Sequence, residues 1–305
     1  AYGEMEFWMA IIKVTAIICM IVLGAYLILS GPETFPQNFS NLWNHGGFFP
    51  NGAWGVALSV VVVMFSFGGI ELIGITAGEA ADPDHTIPRA INQVIWRILI
   101  FYVGTMAVLM ALWPWNQVGA EASPFVQIFS NVGIPAAAHI LNFVVLTAAV
   151  SVYNSAIYSN SRMLYGLASN GDAPAFLQHL SGHGVPVYGI FVSSGITLIV
   201  VAVNYFFPGK VFMYLLSIAV AAAVISWVTI AVTHLRFRKQ CKKIGHDTKF
   251  KSILYPFTNY LCLVFLVGIL VMMTQIPDMQ LTVFILPAWL LVLWCGYSYK
   301  KKRER

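Results

Sequence analysis

Apolar runs long enough to cross a lipid bilayer, roughly 17–25 residues each, recur eight times along the chain and leave room for little besides their connections. They fall near 7–29, 54–78, 97–113, 137–158, 187–207, 211–235, 255–275 and 281–299. The third has a fairly apolar lead-in from Ile87 to Trp96. Lipid offers the backbone no hydrogen-bond partners, so runs of this kind are helices. The expected fold class is all-α integral membrane, eight transmembrane helices in one domain over 1–305. The connections hold the breakers: Gly31-Pro32, Pro50-Asn51-Gly52, Asp82-Pro83, Trp113-Pro114-Trp115, Gly182 to Pro186, Pro208-Gly209 and Pro277-Asp278.

Charge agrees with this segmentation. Only 10% of the 305 residues are charged and 59% are apolar, against about 25% charged in an ordinary soluble domain. Mean hydropathy is +0.77. A soluble enzyme, a disordered chain and a secreted disulfide scaffold are all excluded. Cys19, Cys241, Cys262 and Cys295 are scattered, with no CxxC, and three of them lie in apolar runs where cysteine acts as a small hydrophobe. Glu4 and Glu6 precede the first run, which is the wrong charge for a signal peptide, and no A-x-A site follows. Residue 1 is expected to be an internal position of a longer protein.

The pI near 9.0 would point to nucleic acid in a soluble protein; here the placement of the cations explains it better. The connections after the first, third, fifth and seventh runs contain one basic residue, Lys210. Those after the second, fourth and sixth, with the C-terminus, hold 15 of the 17 Lys and Arg, from Arg89 and Arg97 through Arg162, the Arg236 to Lys251 group and the Lys300 to Arg305 tail. By the positive-inside rule this side is cytoplasmic, and both ends of the eight-span chain lie there. The tail is a topology anchor that can also attract anionic headgroups.

The remaining basic residue, Lys13, lies inside the first run. A charge at the bilayer centre costs at least ~2.5–3.5 kcal/mol. Lys13 either snorkels to the interface, about 9 Å away at Phe7, or places an amine in a polar cavity, titrating or replacing a bound cation. The second run carries Phe65-Ser66-Phe67-Gly68-Gly69-Ile70-Glu71-Leu72-Ile73-Gly74-Ile75-Thr76-Ala77-Gly78-Glu79. Glycines here can serve close helix packing. Packing does not require Glu71, whereas a discontinuous helix explains the whole set, its freed backbone pointing at substrate or ion. Glu79, beside Asp82 and Asp84, is assigned to an interfacial or gating role. In the fourth run Ser151, Asn154, Ser155 and Tyr158 share one helical face, either as helix-to-helix glue or as the lining of a wet path. Ala219 to Ala223 in the sixth run reads as close packing. The seven histidines show no ligand spacing, and no H-E-x-x-H, P-loop or G-x-S-x-G occurs. No metal, no cofactor, no nucleic-acid partner and no enzymatic activity is expected.

Several of these stretches together are familiar. Glu4-Met5-Glu6-Phe7-Trp8 with Ile12-Lys13-Val14, the run from Ser66 to Glu79, and Ile87-Pro88-Arg89-Ala90 resemble bacterial amino-acid permeases of the amino acid–polyamine–organocation superfamily. Ser151-Val152-Tyr153-Asn154-Ser155 and Ser161-Arg162-Met163-Leu164-Tyr165-Gly166-Leu167 look most like the aromatic amino-acid and phenylalanine permeases. The resemblance implies a twelve-helix inverted-repeat (LeuT-like) transporter, of which this chain matches helices five to twelve and lacks the first four. Those missing N-terminal helices would be its partner in the same protein. The other partners implied are an amino-acid substrate, protons and the lipid bilayer of the bacterial inner membrane.

By position, the resemblance places substrate near the midplane between helices one, six, eight and ten. Phe65, Ser66, Phe67, Gly68, Gly69 and Glu71 of the broken helix and Ser151 and Asn154 opposite would bind it, with Phe65 as an aromatic lid. Lys13 and Glu71 would couple protons, Lys13 where some relatives hold sodium. The function so implied is proton symport of an L-amino acid, aromatic by the closest resemblance. The alternatives are a permease for proline or small neutral amino acids, and a permease-like sensor or channel that does not accumulate substrate.

Overall fold

The computed structural model describes residues 2–30, 39–76, 82–118, 123–131, 133–207, 210–245 and 252–303. Glu79, Gly31-Pro32, Pro208-Gly209, His246, Lys249, Lys251 and Arg305 lie outside them. Among the described residues every regular element is a helix. Six helices are long and apolar enough to cross a membrane: Gly3–Ser30, Pro83–Leu112, Ala136–Ser169, Val187–Phe206, Val211–Lys243 and Pro277–Ser298. Gly52–Ser66 and Phe257–Met273 are apolar but shorter, at 15 and 17 residues. Large apolar side chains cover the outward faces. On Val187–Phe206, for example, Phe191, Leu198 and Ile199 are 68%, 70% and 65% exposed. Contiguous apolar surface of that extent is suited to lipid and not to water, so the chain is a multi-pass membrane protein.

The helices form two compact units. One contains residues 1–50 and 72–199. Here α1 (Tyr2–Ser30) packs on α6 (Thr105–Leu112) and on α8 (Pro135–Ser169), with α7 (Pro124–Asn131) against α8. Met20, Leu109, Leu112, Ile128, Phe129, Ala138 and Leu141 make its core. The short α2 (Asn41–Asn44) is pinned to α6 by Asn41 Nδ2, which donates to the Ala111 carbonyl at 2.9 Å. After α4 (Leu72–Thr76), α5 (Pro83–Arg97) begins at Asp82, which accepts the His85 amide at 3.4 Å, with proline at the first helical position. It continues through a π-helical stretch, Ile98–Gly104, directly into α6. The third span, expected at 97–113, is therefore the end of a rod from Pro83 to Leu112. Its cap lies in a polar segment that hydropathy does not register.

The other unit contains residues 51–71 and 200–305, with α9 (Val187–Phe206) running from one unit into the other. In it α3 (Gly52–Ser66), α10 (Lys210–Lys243), α11 (Phe257–Met273) and α12 (Pro277–Arg303) enclose a core of Val61, Met64, Leu216, Val220, Ala221, Val224, Leu266, Ile269, Met273 and Met279. Ser217 is fully buried and shares a 2.6 Å hydrogen bond with Thr282, joining α10 to α12. The small side chains near Ala221 are what let these helices approach.

Several helices outrun their apolar runs. α8 continues to Ser169, well past the expected end at 158 and through Gly166, before Gly171 turns the chain at φ +74°. α10 continues past 235 to Lys243, before Gly245 turns the chain at φ +68°. The second span, expected at 54–78 as a discontinuous helix, is described up to Thr76 as two pieces, α3 and α4, separated by Phe67 to Glu71.

Candidate functional site

The break between α3 and α4 carries one group of the candidate residues. α3 closes with the Phe67 and Gly68 amides donating to Met64 O and Phe65 O, both at 3.1 Å. Gly69 then takes φ +99°, a left-handed value that a side chain would strain, and its amide donates to Glu71 Oε2 at 3.1 Å. Trp227 of α10 reaches the same oxygen through Nε1 at 3.2 Å. One carboxylate oxygen thus ties together the turn and the neighbouring helix. Phe65 is 51% exposed at the mouth of the break, Phe67 is half-buried, and Ser66 and Gly68 are exposed. Carbonyls at the end of α3 carry the negative pole of the helix dipole, a suitable environment for an ammonium group.

A second group of candidate residues belongs to the other unit, on α1 and α8. Glu6 and Lys13 are seven residues apart, on one face of α1. Ser151 of α8 is fully buried against them. Its Oγ lies 2.6 Å from Lys13 Nζ and 2.5 Å from Glu6 Oε1, while the ammonium and carboxylate are 3.4 Å apart. Lys13 can only donate, so Ser151 accepts from Lys13 and donates to Glu6. Lys13 and Glu6 are 24% and 27% exposed: the amine is engaged by protein groups. Glu6 Oε2 is buried with no partner among the described residues, and so is Asn154 Nδ2, one turn along α8 from Ser151. Two buried polar groups left without a partner are costly.

The structure therefore gathers Lys13 and Ser151 into one polar cluster, with Asn154 following on the same helix. It gathers Phe65, Ser66, Phe67, Gly68, Gly69 and Glu71 around the helix break in the other unit. Two participants were not singled out from sequence. Glu6 sits at the polar end of the first run, though its spacing of seven from Lys13 signals a shared helical face. Trp227 counts as one more apolar residue in the sixth run, with nothing to mark its indole donor. Among the described residues no three His, Cys, Asp or Glu side chains converge as a metal site.

Comparison with known proteins agrees on a single family. The family model described as Amino acid permease matches residues 1–305. The aromatic amino acid transport protein AroP of Escherichia coli (strain K12) is 49% identical over 304 residues, covering 100% of this chain and 66% of AroP. AroP of Salmonella typhi matches with the same identity and coverage. The uncharacterized amino acid permease YtnA of Bacillus subtilis (strain 168) is 45% identical over 303 residues, 98% of this chain and 65% of its own length. The chain thus spans about two thirds of the length of these relatives. A helix interrupted at membrane depth, a lysine–serine–glutamate cluster on two long apolar helices and a family match from end to end lead to one conclusion: the chain belongs to the amino acid permease family, transporters and not enzymes.

Proposed function

We propose that the chain is the helix-five-to-twelve part of a proton-coupled symporter that imports an aromatic L-amino acid across the bacterial inner membrane. It crosses that membrane eight times, the two shorter apolar helices included, in a twelve-helix inverted-repeat fold with a cytoplasmic C-terminus. The interrupted helix carries the reading. Non-helical backbone at membrane depth is tolerated only where it is buried in protein or lines a wet cavity, and broken helices are where such transporters place substrate and ion. The backbone around Gly68 and Gly69 takes the substrate ammonium, Phe65 and Phe67 contact its side chain, and Ser66, Ser151 and Asn154 supply further polar contacts. Glu71 and the Lys13–Ser151–Glu6 cluster handle the proton. The aromatic specificity draws on the names of the AroP relatives and on the exposed Phe65 ring.

The test is uptake of labelled phenylalanine by the complete protein in proteoliposomes under an inward proton gradient, with every other amino acid as competitor. Accumulation that tyrosine and tryptophan compete away, and that an uncoupler collapses, is the expected result. Competition by proline or small neutral amino acids alone overturns the specificity. Binding without accumulation overturns transport in favour of a sensor or channel.

A further inference from the structure

The amides that cross the break between α3 and α4 are all engaged, and one of them is engaged by a side chain. Those of Phe67, Gly68 and Ile70 donate to the carbonyls of Met64, Phe65 and Phe67, at 3.1, 3.1 and 3.4 Å. The Gly69 amide, turned out of that series at φ +99°, donates instead to Glu71 Oε2 at 3.1 Å. A carbonyl has two lone pairs and can accept twice, whereas an amide has a single proton to give. An incoming anion would have to displace Glu71 or a backbone carbonyl from one of these donors. An ammonium group only donates, and the break meets it with acceptors. Glu71 thus sets the polarity of this backbone by covering Gly69.

What keeps Glu71 there comes from another helix. Gly69, Glu71 and Trp227 lie in the same compact unit, in which α3 and α10 pack directly. Val220 and Val224 are buried on one face of α10, and Trp227 continues that face three residues beyond Val224. Its ring packs against the core that these valines form with Val61 and Met64 of α3. A large ring wedged in this way has few orientations, and the one polar atom of an indole is a donor. That atom, Nε1, donates to Glu71 Oε2 at 3.2 Å. The same oxygen therefore receives two N–H groups, one from the turn and one from a ring fixed in the core. Hydrogen bonds to an ionised acceptor are the stronger kind, so the indole is well suited to pin a carboxylate that flexible bonds alone would leave mobile.

We propose that Trp227 is a positioning residue for the substrate site: its indole N–H holds the Glu71 carboxylate against the Gly69 amide and so keeps the break an acceptor surface for the substrate ammonium. The inference rests on the reading of the break as the ammonium site and adds the residue that fixes its polarity. Trp227 acts through Glu71 and not by touching substrate. Without its donor, Glu71 Oε2 keeps one bond of two and the carboxylate swings away from the turn. The Gly69 amide is then uncovered beside the ammonium, and donor faces donor. Ligands that carry an amino group lose affinity, whereas recognition of the ring and of the substrate carboxylate is unaffected.

Two measurements on the complete protein in detergent test it. In an NMR spectrum of nitrogen-labelled indoles, the Trp227 resonance is identified by its loss in W227F and should move in E71Q, which removes the charge and keeps the shape. The second is competition for bound labelled phenylalanine by phenylalanine and by phenylpropanoate, the same molecule without its amino group. W227F should weaken phenylalanine about tenfold and leave phenylpropanoate within about twofold of wild type. E71Q/W227F should be no weaker than E71Q alone, and W289F, at an exposed position on α12, should bind as wild type does. Trp227→3-benzothienylalanine puts sulfur in place of the N–H in a ring of nearly the same size, and it serves both measurements if W227F misfolds. A resonance unmoved by E71Q overturns the proposal, as does wild-type affinity in the Trp227 variants. Equal weakening of the two ligands marks a merely structural role and overturns it too, as do losses that multiply in the double variant. A protein that binds no phenylalanine while E71Q still moves the Trp227 resonance supports the positioning and counts against the aromatic reading alone.

Discussion

Ser151 has one hydroxyl proton and two ionic neighbours, which leaves its hydrogen bonding no freedom: it receives from Lys13 at 2.6 Å and gives to Glu6 at 2.5 Å. Loss of either ionic partner disturbs all three contacts together, so the proposed coupling is tested there. In the complete protein, Lys13→Met is expected to cut proton-driven phenylalanine accumulation about tenfold or more, since charge-assisted hydrogen bonds are worth about 1.5–3 kcal/mol each. Exchange of internal for external substrate needs no proton and should survive. Glu6→Gln should do the same, and the double variant should be no worse than either single one, an interaction of about 0.5–3 kcal/mol. Parallel uptake and exchange measurements on the four proteins decide it; independent, additive losses would dissolve the cluster as a functional unit. Lys13 and Ser151 could be read from sequence because polar residues in apolar runs demand a reason. Glu6 could not, because acids are ordinary at a helix end, and only the fold brings α8 beside it.

At the level of elements, close approach between helices is set by what they lack. Gly189 of α9 faces α8 so closely that an added Cβ would lie 2.9 Å from the Ser161 carbonyl oxygen and 3.0 Å from its Cα. Gly195, six residues along the same helix, has nothing within 4 Å of the corresponding point. The same substitution should therefore have opposite signs. Gly189→Ala must separate two backbones, an overpacking cost of about 1–3 kcal/mol, while Gly195→Ala gains helix propensity of up to about 1 kcal/mol. Thermal unfolding of the complete protein in detergent should show a fall of several degrees for the first, at about 2–4 °C per kcal/mol, and none for the second. Equal midpoints would refute the close α8–α9 contact. Neither glycine could be distinguished in the sequence, where both are simply small residues in an apolar run. The break at Gly68 and Gly69 was more legible, because glycines clustered around a carboxylate conflict with an unbroken span. Hydropathy missed the polar extensions of α8 and α10, since helices end at breakers such as Gly171 and Gly245 and not where apolarity fades.

For the whole molecule the strongest expectation is about sidedness, and it rests on where the basic residues fall along the chain. Of 17 basic residues, 15 fall on connections assigned to one face of the membrane. Each cation translocated against the positive-inside bias is costly, so the alternative orientation would have to carry the entire group across. The helices constrain the count as well. An even number of crossings returns the Lys300 to Arg305 tail to the side on which α1 begins, whereas six crossings and eight differ in whether Gly52–Ser66 and Phe257–Met273 pass through. A cysteine-free background, replacing Cys19, Cys241, Cys262 and Cys295, allows single cysteines to report this in intact cells. Gln117→Cys, between α6 and α7, should react with a membrane-impermeant maleimide from outside, as should Gln275→Cys between α11 and α12. Lys242→Cys and Lys302→Cys should react only after the membrane is opened. If Phe257–Met273 did not cross, Gln275→Cys would share the protection of Lys242→Cys and Lys302→Cys would react from outside, so the eight-crossing arrangement would fail from that helix onward while the orientation of the helices before it stood.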